Sequence, residues 1–234
     1  MNKYFFLSPF FLCALMYADQ TQETFLKAGA YYEQGRMADA LTLYKKISSP
    51  YPSVFYNSGL CHYSLGDYSQ ALVAARKAER WGNGELRKKA FQVVVLTQKK
   101  LGVEKDTSWY ERAVAVHAMM PGYFLRFLFL LVLALVSLIV VLQRDTKRFF
   151  VGGVFFLVVT GSCCAYDYWF SKQQYGIVIS NKAFVYAGPD KQFHKVAEIQ
   201  TGRQVKVVEQ DHSWYKVYFP AGQGWVEQTD LGLF

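Results

Sequence analysis

Two apolar runs set the limits on how this chain of 234 residues can fold. Tyr123 to Leu142 carries a single charge, Arg126, near its start. As a helix rising 1.5 Å per residue, a run of this size covers roughly 30 Å, the thickness of a bilayer's hydrocarbon core. Arg126 is expected to snorkel to the headgroups. Phe149 to about Phe170 is a second run, ending in Asp167, Tyr168 and Trp169. Within it, Gly161 and Ala165 offer a small-residue face for close packing against the first span. The polar turn between the runs carries Arg144, Lys147 and Arg148 against Asp145. Short basic loops stay on the cytoplasmic side of a membrane. The expectation is a multidomain membrane protein: a transmembrane helix over 123–142, a cytoplasmic loop over 143–148, and a second transmembrane helix over 149–170. A short interfacial helix over 103–122, with Ser108 and Glu111 as a capping box, leads into the hairpin.

The start of the chain points the same way. Lys3 precedes an apolar stretch from Tyr4 to Tyr17, and Ala18 precedes the polar run Asp19-Gln20-Thr21-Gln22. This is the layout of a secretory signal peptide over 1–18. Met16 fits the small-x-small cleavage rule poorly, which leaves uncleaved anchoring as the alternative. The signal and the basic loop both send the flanking domains out of the cytoplasm.

Composition and motifs narrow the chemistry. The net charge of +8 is spread along the chain, and residues 19–120 hold 14 basic against 10 acidic groups. No clustered basic stripe exists, so nucleic acid is not an expected partner. The four Cys form no CxxC pair or metal-ligand spacing. There is no HExxH, GxSxG, phosphate loop or GxGxxG. We expect no catalytic residues, no metal and no cofactor, and hence a protein that is not an enzyme.

Between residues 19 and 102 the sequence repeats at an offset of 31. Tyr31-Tyr32 aligns with His62-Tyr63, Gly35 with Gly66, and Ala40-Leu41 with Ala71-Leu72. Gly35 and Gly66 fall where a helix ends and a positive φ is needed. The pattern of Gly59, Gly66, Asp67, Tyr68, Ala71 and Ala78 resembles a tetratricopeptide repeat, an all-α solenoid of paired helices. Ser48-Ser49-Pro50-Tyr51-Pro52 shortens the first unit. A single helix from Glu85 to Leu101, with apolar Phe91, Val94, Val95 and Leu101 on one side, is expected to cap the stack. The resemblance puts Phe25, Tyr32, Tyr56, Asn57, Leu60 and Tyr63 on the concave face that binds peptides in that family. The same aromatics serve equally well as packing between repeats.

From residue 171 to 234 the pattern changes to short β-rich runs separated by turns. Val205-Lys206-Val207-Val208 alternates as a half-buried strand does. The runs "DHSWYKV" and "GQGWV" resemble a bacterial SH3 domain, a small all-β SH3-like barrel. Tyr186, Trp214 and Trp225 are the expected groove residues, with core packing as the alternative for both Trp.

The order of parts resembles the BatE family of aerotolerance-operon proteins. That resemblance implies a bacterial inner (cytoplasmic) membrane protein with both terminal domains periplasmic. It also implies partnership with von Willebrand factor A-type membrane proteins and a MoxR-type AAA+ ATPase system. The expected function is a non-enzymatic scaffold that binds protein partners through its repeats. The alternative is a sensor that binds peptidoglycan peptide through the SH3-like domain.

Overall fold

In the computed structural model the described residues are 9–48, 51–103 and 172–234, with isolated helical positions between 127 and 168. Among the described residues five helices precede a sheet of seven strands. The helices are α1 (Pro9–Glu33), α2 (Met37–Lys46), α3 (Pro52–Ser64), α4 (Tyr68–Trp81) and α5 (Gly84–Leu101). The sequence repeat appears bond for bond in the turns. Arg36 N–H donates to Tyr31 O at 2.9 Å, and Asp67 N–H donates to His62 O at 3.0 Å. Ala40 N–H donates to Arg36 O and Ala71 N–H to Asp67 O, both at 3.0 Å. Gly35 and Gly66 take φ of 77° and 81°, the left-handed conformation that stops each first helix and starts its antiparallel return. Pro52 opens α3, where its missing N–H costs nothing, and Gly102 closes α5 at φ 66°.

Small residues let these helices meet. Ala28, Ala40, Ala71, Ala75, Ala78 and Ala90 are fully buried. At Gly59 an added Cβ would lie 3.3 Å from the backbone nitrogen of Ala75. Helix α3 therefore rests its backbone directly on α4.

The sheet comprises β1 (Gln174–Val178), β2 (Lys182–Tyr186), β3 (Lys195–Gln200), β4 (Gln204–Asp211), β5 (Trp214–Phe219), β6 (Gly222–Glu227) and β7 (Leu231–Leu233). Its order is β3-β2-β6-β5-β4-β1-β7, and the neighbours are antiparallel. Alternation along the strands sends Val185, Val205, Val207, Tyr215, Val217 and Val226 into one core. The SH3-like all-β region expected at the end of the chain thus has its sheet.

The two halves share a third core. Leu72, Val73, Ala75, Val93 and Val94 from α4 and α5 enclose Ile177 of β1, with Leu101, Ile179 and Phe234 packed at its edge. A Cβ on Gly202 would come within 2.8 Å of Leu101 and Val103, and one on Gly232 within 2.5 Å of Val73. Both glycines are the gaps through which the helices reach the sheet.

The membrane-protein class and the inner-membrane location expected from the sequence are corrected here. Among the described residues no helix is long and apolar enough to cross a membrane. Helix α1 has the length, with 25 residues, but it joins an apolar first half to the polar run Asp19 to Thr24. Helix α5 carries Arg87, Lys88, Lys89, Lys99 and Lys100. Apart from isolated helical positions, the spans expected over 123–142 and 149–170 lie outside the described residues, as do the loop 143–148 and nearly all of 103–122. Of the expected signal peptide, residues 1–8 lie outside the description, and residues 9–18 belong to a helix that continues unbroken to Glu33.

Replacing Gly59 by Leu would push α3 off α4. The expected cost is about 1–3 kcal/mol, as for other overpacked contacts, lowering the thermal midpoint by about 2–4 °C per kcal/mol. Thermal unfolding followed by circular dichroism reads this, and an unchanged midpoint would refute the contact.

Candidate functional site

The β5–β6 hairpin carries two of the residues expected in the groove, Trp214 and Trp225. Its register pairs Trp214 with Glu227, Tyr215 with Val226 and Lys216 with Trp225. Facing residues in an antiparallel pair project to the same side. Tyr215 and Val226 therefore point into the core, and Trp214, Lys216, Trp225 and Glu227 share the opposite face. Strand β2 adds Tyr186, which pairs with Trp225. The Tyr186 and Trp214 rings meet edge to face, with centroids 5.4 Å apart. Strands β2 and β6 approach closely here because residue 224 is glycine; a Cβ there would collide with Val185 and with the carbonyl of Tyr186.

Charges rim this aromatic floor. Lys216 Nζ sits 5.7 Å from the centre of the Trp225 ring and 3.5 Å from Glu209 Oε2. Lys191, from the loop between β2 and β3, reaches Glu227 Oε2 at 3.0 Å. The hydrogen bond to Glu227 and that carboxylate's charge raise the Lys191 pKa. Cation, carboxylate and ring faces thus lie side by side, which suits a ligand with polar main-chain groups and a charged substituent. Tyr186 is buried, while Trp214 and Trp225 are half-buried.

The three expected groove residues are therefore brought together. The six residues expected on the helical concave face are divided instead. Phe25 and Tyr32 pack on the core formed by α1, α2 and α3, where Phe25 meets Tyr44 edge to face at 5.7 Å. Asn57 Nδ2 donates to Tyr44 Oη at 3.0 Å. Burial raises the Tyr32 pKa, and the neighbouring Cys61 and Tyr56 add to it. Tyr56 and Leu60 pack on the core shared with the sheet. Tyr63 meets Tyr68 edge to face at 5.4 Å, across the α3–α4 turn.

The sequence reading missed Lys216, Glu227 and Lys191. The first two had a signal, because two-residue alternation puts Lys216 on the face of Trp214 and Glu227 on that of Trp225. Lys191 had none, since its place depends on the path of the β2–β3 loop. Among the described residues, no group of three or more His, Cys, Asp or Glu could hold a metal ion. His62, half-buried in α3, has its Nδ1 3.1 Å from Asp67 Oδ2 at the α3–α4 turn. His212 occupies the β4–β5 turn at φ 47°.

Residues 181–232 match the family model of the bacterial SH3 domain. The match holds β2 to β6 and the three groove aromatics. It does not extend into the helical half, so it supports neither the tetratricopeptide assignment nor a BatE-like identity for the whole chain. Searches of curated proteins and of solved structures give no match.

Cys61 marks how dry the helical seam is. It is fully buried, and burial pushes its thiol pKa up to about 11. Native protein treated with iodoacetamide at pH 8 is expected to leave Cys61 unmodified, because the thiolate is the nucleophile. Peptide mapping checks this; rapid native labelling that matches the unfolded protein would contradict the seam.

Proposed function

We propose that the chain is a non-catalytic binding protein whose SH3-like domain holds a peptide of the bacterial cell wall in the groove of Tyr186, Trp214 and Trp225. The observation that carries this reading is that the β core closes without either tryptophan. The two bulkiest side chains of the domain stand half-buried on the outer face, beside a buried tyrosine and a ring of charges. Aromatic side chains left in such a position supply contact area at low entropic cost and dominate peptide affinity. The match to the bacterial SH3 domain supports the choice of a wall peptide as ligand.

Within the groove, Trp225 is the platform, and Lys216 beside its ring receives a ligand carboxylate. Glu227 and Lys191 hold the opposite rim. The helical half serves as the mount. A scaffold acting through Phe25, Tyr32, Tyr56, Asn57, Leu60 and Tyr63 has less in its favour, since Phe25 and Tyr32 pack on the core of α1 to α3 and Tyr56 and Leu60 on the core shared with the sheet.

Co-sedimentation of the full chain with purified peptidoglycan sacculi tests the reading. Trp225→Ala is expected to weaken binding about 30-fold, the weight of a central aromatic contact. Lys216→Glu is expected to weaken it further at low salt than at high salt. Binding that is absent in the unmutated protein, or unaltered by Trp225→Ala, would end this proposal.

A further inference from the structure

Strand β4 is longer than its neighbour β1. The two are paired from Gln174–Val207 to Ile177–Gln204, so β4 runs on from Val208 to Asp211 beyond that pairing. On its other side the register of β4 against β5 slips between Val207 and Glu209, which sets Val208 in a bulge, 59 % exposed. Bulges interrupt pairing and re-aim side chains. Here the bulge, the overhang of β4 and the residues leading into β1 border an open cleft of about 450 Å³. Lys172, Gln173, Lys206, Val208 and Glu209 are among its walls. Tyr186, Trp214 and Trp225 are not, so the cleft is separate from the proposed groove.

Gln173 is the unusual wall, a polar residue that is only 8 % exposed. Its main-chain oxygen accepts from Arg80 Nη2 at 2.6 Å. Its Oε1 accepts from the Tyr175 hydroxyl at 2.8 Å, and the Tyr175 ring stacks on Phe234 with centroids 6.0 Å apart. Backbone and side chain are both held. The side-chain Nε2 is buried and has no hydrogen-bond partner among the described residues. A buried amide N–H without an acceptor is costly, and an acceptor brought into the cleft removes that cost.

Charge selects the acceptor. The walls carry two ammonium groups, Lys172 and Lys206, against one carboxylate, Glu209. Glu209 Oε2 is also 3.5 Å from Lys216 Nζ. The balance of the walls is one positive charge, which matches a singly charged carboxylate. A phosphate monoester, with a charge of about −1.5 to −2 at neutral pH, would be left partly unneutralised. The two oxygens of a carboxylate can take an amide N–H and an ammonium group together.

We propose that this cleft is a second binding site of the β domain and takes a carboxylate-bearing ligand, one oxygen accepting from Gln173 Nε2 and the other facing Lys172 and Lys206. Val208, brought out by the bulge, gives apolar contact to the chain that carries the carboxylate.

The test is an acetate titration of the full chain, labelled with nitrogen-15 and followed by nuclear magnetic resonance at constant ionic strength. The Gln173 side-chain amide and the backbone amides of Val208 and Glu209 are expected to shift and to saturate. Gln173→Glu keeps the acceptor for Tyr175 and removes the donor. It is expected to weaken acetate binding, read at Val208 and Glu209, at least about tenfold, the scale of losing a hydrogen bond to a charged group. Lys172→Gln is expected to weaken it as well, and it keeps the test open if the first variant does not fold. Inorganic phosphate is expected to bind less tightly than acetate. Signals that stay in place, or that move equally with chloride alone, would overturn the proposal. So would tighter binding of phosphate, shifts at Trp225 in place of Gln173, or acetate binding that survives both substitutions.

Discussion

Hydrogen bonds from Arg80 cross between the two halves, beside the apolar core that they share. A guanidinium carries several donors in a fixed plane, and here two of them reach carbonyls that are 61 residues apart along the chain, at Gln173 and Phe234. Burial works against the charge and lowers the Arg80 pKa, with Tyr175 pulling the other way. A cation is tolerated in such a place only when its donors are satisfied, and the oxygens of Gln173 and Phe234, at the two ends of the sheet domain, accept from it. The apolar packing of Val73, Val94 and Ile177 then forms around a point already fixed in two directions.

That arrangement explains why the aromatic residues of the two halves have opposite fates. In the helical half the stack is thin, and Tyr44 at its centre is drawn in to fill it. Tyr44 is nearly fully buried and orders Phe25 and Asn57 around its ring and hydroxyl. In the sheet the valines close the core by themselves, because alternating strands bring Val185, Val217 and Val226 together from three neighbours. Trp214 and Trp225 fall on the other side of the pleat, where there is nothing for them to fill. Their half-exposure is a product of register, which sets them on one face with Tyr186.

Sequence patterns showed the local elements well because their causes are local. The offset of 31 is visible in Gly35 and Gly66, and each glycine does stop a helix with the same pair of turn bonds. Period-two alternation in β4 and β5, and the tryptophans at the ends of two short runs, gave the sheet and its outer face. What lies between elements was not legible. Nothing adjacent to Arg80 signals carbonyl partners 93 and 154 residues away. Nothing near Gly202 or Gly232 shows that a helix will lean on it, since a glycine in a β-rich stretch reads first as a turn. The expected concave face met the same limit: helical period placed Tyr32 and Tyr56 on one side, whereas the packing divides them between the core of α1 to α3 and the core shared with the sheet. Length and hydropathy gave a membrane class, whereas the helices of the described fold are too short, too charged or too polar over half their length to span a bilayer.

The position of the groove relative to the packed edge has a physical consequence for the whole molecule. A sheet domain has two edges and two faces, and an exposed edge is a hazard because its N–H and C=O groups recruit other strands. Here β7 is one edge, and it lies against α4, with the Phe234 carbonyl taken by Arg80. The helices therefore cover one edge, and among the described residues they do not pack on the outer face of β5 and β6. The other edge, β3, carries Lys195 and Glu198, and the Lys195 ammonium lies 3.7 Å from the Phe184 ring centre. Charged side chains on an edge strand disfavour pairing with another chain. One edge is covered and the other is charged, and the aromatic face that the β5–β6 register creates is the surface on which the proposed binding rests.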